Sequence, residues 1–197
     1  MKERAAVGFS VHTGWAASVL VGGQARAPRI LDRREIRLSH SEDTLEAEVY
    51  HRAAELSEAK AGPFVREARQ DAARRALAAL RSLSSSYPLV AAGVLVSVAK
   101  LPSDLAAILR SHPMVHTAEG ALYRDALAGG AEVCGLEVVR IPRRELGSRF
   151  AVALGKKEKE AQDWLLSTGR EIGPPWARDQ KDAAMAAIVA LGQAVSR

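Results

Sequence analysis

"AAVGFSVHTGWAASVLVGG", residues 5–23, decides how the sheet begins. Two short runs of small and branched apolar residues flank His12, Thr13 and Gly14. Such runs, parted by a glycine-containing break, read as a β-hairpin in which Gly14 supplies the positive φ of a tight turn. The next run, "RILDRREIRL" (29–38), alternates imperfectly, with Ile30, Asp32, Arg34 and Ile36 on one face and Leu31, Arg33, Glu35 and Arg37 on the other. A strand so polar belongs at a sheet edge. Three strands joined this tightly run antiparallel.

Beyond them the period changes. Leu45, Val49, Ala53 and Leu56 recur at helical spacing behind Ser41-Glu42-Asp43, which predicts a helix that Gly62-Pro63 breaks or kinks. Helix resumes through Val65, Ala72, Ala76, Leu77 and Leu80. "LVAAGVLVSVA" (89–99) is apolar on both faces, as a strand in the sheet centre must be. "PSDLAAILRSHP" (102–113) reads as a short helix capped by Ser103, and "VHTAEGALYRDALAGGAEVCG" (115–135) as a longer one. "LEVVRIP" (136–142) is a further strand, followed by helices over 143–154, 156–168 and 178–194. The order βββ–α–β–α–β–α predicts a mixed α/β sheet with a long helical segment after the third strand, not a doubly wound parallel one.

The chain has 197 residues and is 48% hydrophobic, enough for one domain over 1–197 with an ample core. Its 28 Lys and Arg outnumber 23 Asp and Glu, for a net charge of +5, and its pI is near 9.7. That excess favours a polyanionic partner. The one cysteine, Cys134, excludes an internal disulfide and a multi-cysteine metal site, and in "AEVCGLEVV" it reads as a buried thiol. No apolar run approaches the roughly 20 residues needed to span a bilayer. The N-terminus imitates a signal peptide, but "SVHTGW" interrupts its apolar middle, so the expected location is a reducing cytoplasm.

Three stretches carry a family resemblance: "VVRIPRREL" (138–146), "ALGKKEKEAQDWL" (153–165) and "DQKDAAMAAIVAL" (179–191). A late strand ending in proline, a basic helical passage and an acid-x-x-Asp-Ala helix together resemble the ribonuclease H-like superfamily, and within it the RuvC-type Holliday-junction resolvases. The resemblance covers about the last 60 residues closely and the first 100 in element order only. It implies a ribonuclease H-like fold and a nuclease in which two divalent ions, Mg2+ or Mn2+, about 4 Å apart, clamp the oxygens of a phosphoryl transfer. It also implies DNA or RNA as partner. Homo-oligomerisation stays open.

Such a site draws carboxylates from the first strand, the end of the central strand and the last helix. The last-helix pair falls on Asp179 and Asp182, as metal ligands. The first-strand position falls on Ser10, and the central-strand position falls near Ser97 and Lys100, where there is no acid. His12, just past the first position, and His116 with Glu119, three apart at a helix start, are expected to join the aspartates in metal binding or acid–base work. Seven basic residues from Arg140 to Lys159, including Arg143, Arg144, Lys156, Lys157 and Lys159, form the expected phosphate-tracking surface.

Each of these has a plainer structural reading. Asp179 and Asp182 suit capping and dipole complementation at a helix N-terminus, worth about 1–2 kcal/mol. His116 and Glu119 suit a solvated helix start, His12 a turn, and the basic run a solvated helical face. Trp176, in "GREIGPPW" (169–176), either walls a pocket or pins its loop. Three functions therefore stay open: a nuclease, an inactive nucleic-acid-binding or protein-interaction module, and a scaffold using the helical region 42–83. An exposed apolar stripe there would favour the scaffold, and a packed one would count against it.

Overall fold

The computed structural model describes residues 3–40, 47–97 and 99–195. β1 (Ala5–His12), β2 (Trp15–Gln24) and β3 (Ala27–Arg37) form the antiparallel part of one sheet; β4 (Leu89–Val96) pairs in parallel with β1, and β5 (Glu137–Pro142) in parallel with β4. The spatial order is β3-β2-β1-β4-β5, with β3 at an edge and β4 hydrogen-bonded on both sides. The C-terminal ends of β1, β4 and β5 therefore share one edge of the sheet. Gly14 turns the β1–β2 hairpin at that edge with φ +80°.

Helices cover both faces. On one lie α1 (Val49–Ala54), α2 (Glu58–Ser86), α3 (Leu105–Leu109) and α4 (His112–Val133). On the other lie α5 (Leu146–Leu154), entered through a 3-10 turn at Arg143–Glu145, then α6 (Glu158–Ile172) and α7 (Arg178–Val195). Strand alternation divides the core between them: Val7, Phe9, Leu20 and Val94 face the first layer, and Ala6, Val19, Val21 and Leu95 the second. α7 is buried from Asp182 to Leu191, because it lies between the sheet and α5.

Two strand glycines permit that burial. A Cβ on Gly8 would lie 2.0 Å from the Ala183 carbonyl oxygen, and one on Gly93 would lie 2.2 Å from that of Ala186. The alanine-rich sequence of α7 is thus the sequence of a helix whose backbone rests directly on β1 and β4. Its position follows from the missing side chains on both partners.

Several expectations need correction. β3 pairs Val21 with Ile30 and Leu20 with Asp32, so Leu31 is an extra residue in the ladder. The bulge changes the parity, and Ile30 packs in the second layer while Ile36 packs in the first. The break between helices lies at residues 55–57, upstream of Gly62-Pro63, and Pro63 sits inside α2. Near the helix start a proline removes one ladder bond only, which α2 tolerates. The predicted start at 41–45 lies outside the described residues. α3 is capped by Asp104, which accepts from the Ala106 and Ala107 N–H groups, rather than by Ser103. The apolar stripe of α2 is packed, with Val65, Ala72, Ala76, Leu80 and Leu83 all in the core. Cys134 is half-buried beside that core. No helix among the described residues is long and apolar enough to cross a membrane.

Candidate functional site

The first turn of α7 arrives at the shared C-terminal edge of β1, β4 and β5, and it arrives under restraint. The connecting loop is pinned to the edge strand by Arg33, which donates to the carbonyls of Ile172, Gly173 and Pro175. Trp176 donates from Nε1 to the Leu165 carbonyl and packs against Gly169, where a Cβ would lie 2.0 Å from its ring. Of the two readings of Trp176, the structure takes the loop pin.

Asp179 then meets β1. Its Oδ1 accepts from the Ser10 hydroxyl at 2.9 Å and lies 2.7 Å from His12 Nε2. His12 is held from the other side by Trp15, its cross-strand neighbour, whose ring stacks on it at 4.4 Å and 11°. Ser10 is fully buried. Partial burial pushes the Asp179 carboxyl up, but the hydrogen bonds from His12 and Ser10 and the charges of His12 and Arg143 outweigh it, so it lies below the ordinary range.

Asp182, one turn on, is nearly buried and faces the end of β5. Arg143, the residue after β5, donates from Nη1 to Asp182 Oδ2 at 2.7 Å, and Arg178 Nε stands 3.9 Å from the same oxygen. Neither aspartate accepts a hydrogen bond from the backbone of α7 among the described residues. Asp179 tethers the helix to β1, and Asp182 tethers it to the β5 end.

The other predicted site residues fall elsewhere. Glu119 is buried and caps α1: Oε1 accepts from the Val49 N–H at 2.9 Å, and Oε2 accepts from the Tyr50 N–H at 2.8 Å and the His51 N–H at 3.4 Å. Burial pushes its carboxyl above the ordinary value, against the opposing hydrogen bonds from Tyr50, His51 and Val49. His116 is exposed and meets His112, one helical turn before it, at 3.0 Å between Nε2 atoms. The five residues expected to cluster thus form three groups by their contacts: His12 with Asp179, Asp182 with Arg143, and His116 with Glu119 through His51. Ser97 is exposed and accepts from the Ala99 N–H, and Lys100 is exposed too.

The basic run also divides. Arg143 meets the first turn of α7 through Asp182, and Arg144, the next residue, stands 3.8 Å from Glu145. Lys156, Lys157 and Lys159 are exposed at the α5–α6 corner, where Gly155 packs against Arg26 of the β2–β3 turn. That corner adjoins the far end of α7, about 20 Å from Asp179 at 1.5 Å per residue.

No family model matches the chain, and no curated protein matches it in sequence. Among solved structures, it is similar to Thermus thermophilus RuvC in complex with a Holliday junction substrate, at 12% identity and a TM-score of 0.54 over 98% of this chain and 96% of that one. A second Thermus thermophilus RuvC structure matches at 14% identity and a TM-score of 0.50, with the same coverage. This chain has the ribonuclease H-like fold of RuvC.

Within the RuvC fold, the edge that carries Asp179 and Asp182 is where the resemblance places paired divalent ions. The residues present do not fit them. Hard cations need several converging carboxylate oxygens. Here β1 brings Ser10 rather than a carboxylate to Asp179, no acid follows the end of β4 at Ser97 or Lys100, a hydroxyl and an imidazole engage Asp179, and a guanidinium engages Asp182. The interaction a metal would supply, a positive charge between the last helix and the strand ends, is supplied by Arg143.

Proposed function

We propose that this chain is a non-cleaving nucleic-acid-binding protein that uses the C-terminal edge of its RuvC-like sheet to hold structured DNA or RNA. The observation that carries this reading is the ion pair of Arg143 with Asp182, beside the Ser10–Asp179–His12 network. Arg143 offsets the charge of Asp182, and Ser10 and His12 occupy one oxygen of Asp179, so the pair repels phosphate less and offers fewer free lone pairs to a cation. Arg144 and Arg178 are both largely exposed beside it, with side-chain exposures of 74% and 83%. Guanidinium groups so placed suit phosphate oxygens, which they bind bidentately.

The RuvC complex with a Holliday junction substrate makes branched DNA the first ligand to try. Few aromatics accompany the basic groups, so recognition by base stacking has little support and backbone contact has more. The packed stripe of α2 weighs against the scaffold reading.

The test is fluorescence anisotropy with a labelled four-way DNA junction, with parallel incubations in Mg2+ or Mn2+ resolved for cleavage products. The expected result is salt-sensitive binding, no product, and binding that survives Asp182→Asn. Metal-dependent product that disappears in Asp182→Asn would make the chain a nuclease. Absence of binding to junction, duplex and single strands at low salt would remove nucleic acid from the proposal altogether.

A further inference from the structure

Three histidines converge on the face of the molecule opposite α7. His112 and His116 stand one turn apart on α4, and His51 comes from α1. One ligand nitrogen from each lies within 4.8 Å of the others. The rings of His51 and His116 are 4.6 Å apart between centroids, and those of His112 and His116 are 4.4 Å apart. The Nε2 atoms of His112 and His116 already face each other at 3.0 Å. Two imidazole lone pairs at that distance require either a shared proton or a shared cation.

We propose that His51, His112 and His116 bind a divalent transition metal of the zinc class, with a fourth position open to solvent. The i, i+4 spacing on one helix presents two nitrogens to a common point, as helical metal sites do. Imidazole is a borderline ligand that suits zinc, cobalt, nickel or copper rather than magnesium. His112 and His116 are exposed, so an ion can enter and one coordination position remains for water.

Glu119 is the second observation that points to a ligand. Its carboxylate is buried, locked by the backbone N–H groups of Val49, Tyr50 and His51, and its Oε2 lies 3.3 Å from His51 Nδ1. A carboxylate there accepts a hydrogen bond from Nδ1–H, which leaves His51 Nε2 with its lone pair and orients the ring. Metal-bound histidines are commonly oriented in this way by an outer carboxylate. Glu119 is therefore a positioning residue, and it ties the geometry of His51 on α1 to that of His112 and His116 on α4.

The experiment uses untagged full-length protein. Calorimetry with Zn2+ is expected to give one ion per chain, and Co2+ is expected to give the intense visible bands of four-coordinate cobalt. Either His112→Gln or His116→Gln is expected to weaken binding at least 100-fold. Glu119→Gln is expected to weaken it about 10–100-fold. The double variant Asp179→Asn with Asp182→Asn is expected to bind zinc as the wild type does, which separates this site from the first turn of α7. Both histidines are exposed, so their variants should keep the wild-type circular dichroism, which is recorded alongside. No binding at micromolar zinc, a weak octahedral cobalt spectrum, or binding retained when His112 and His116 are both replaced would each overturn the proposal.

Discussion

Asp179 shows what one residue contributes when its neighbours change. The sequence placed it at a helix start and offered a cap or a metal ligand, and in the structure its Oδ1 meets Ser10 and His12. Its folded pKa lies below the ordinary 3.8, so its contribution to stability is full above that value and is lost as pH falls through the lower folded value. Thermal melts from about pH 5 to pH 2 should therefore show an acid limb, and Asp179→Asn should flatten it. The expected cost of that variant at neutral pH is about 1 kcal/mol, kept low by solvent access to the carboxylate. An unchanged acid limb in Asp179→Asn would mean that the network does not hold the helix. The substitution at Ser10 and the presence of His12 were legible in the sequence. Their meeting on one oxygen was not, because the partners are 169 and 167 residues from Asp179. His51 was missed for the same reason: the spacing of His116 and Glu119 is visible within one helix, but the histidine that completes the group arrives from another.

At the scale of elements, strands read more clearly than helix ends. The hairpin, the interior β4 and the edge β3 follow from alternation and apolar runs, since those patterns report burial directly. The β3 bulge does not, because an extra residue leaves composition unchanged and shows only in pairing. Helix starts went astray where two signals competed: Ser103 beside Asp104 in α3, and Gly62-Pro63 against the true gap at 55–57. Least legible was the reason for the alanines of α7, which lies in glycines about 90 to 175 residues upstream in chain order. That reason is testable. Gly93→Ala puts a methyl against the Ala186 carbonyl, a backbone atom that cannot turn aside. We expect a loss of about 1–3 kcal/mol or more, read as a lower midpoint in urea. Pairing it with Ala186→Gly should restore little, because the carbonyl rather than the alanine Cβ is the nearer obstacle. Full rescue would show that α7 can rise from the sheet more freely than its burial implies.

For the molecule as a whole, the distribution of charge matters more than its total of +5. The basic groups of the C-terminal third read as one run in sequence, but α5 carries the chain from one end of the sheet to the other between them. Arg143 is engaged by Asp182, leaving the exposed Arg144 and Arg178 at the edge proposed above to receive nucleic acid. Lys156, Lys157 and Lys159 stand at the opposite end. Each phosphate contact contributes about 0.9 to the slope of log affinity against log salt for duplex DNA. If the edge is the binding surface, Arg144→Ala with Arg178→Ala should reduce the slope for a four-way junction by about 1.8, the loss of two contacts. The triple lysine-to-alanine variant should reduce it less, unless a duplex arm reaches along the length of α7. A junction long enough to span both ends would then show the lysine effect, and one with arms trimmed below about 20 Å would lose it. Equal slopes for wild type and the arginine pair would move the interface away from this edge, whatever the affinity. Slopes that change for the arginines with both junctions, and for the lysines with the long one alone, would map the path of the nucleic acid across the protein.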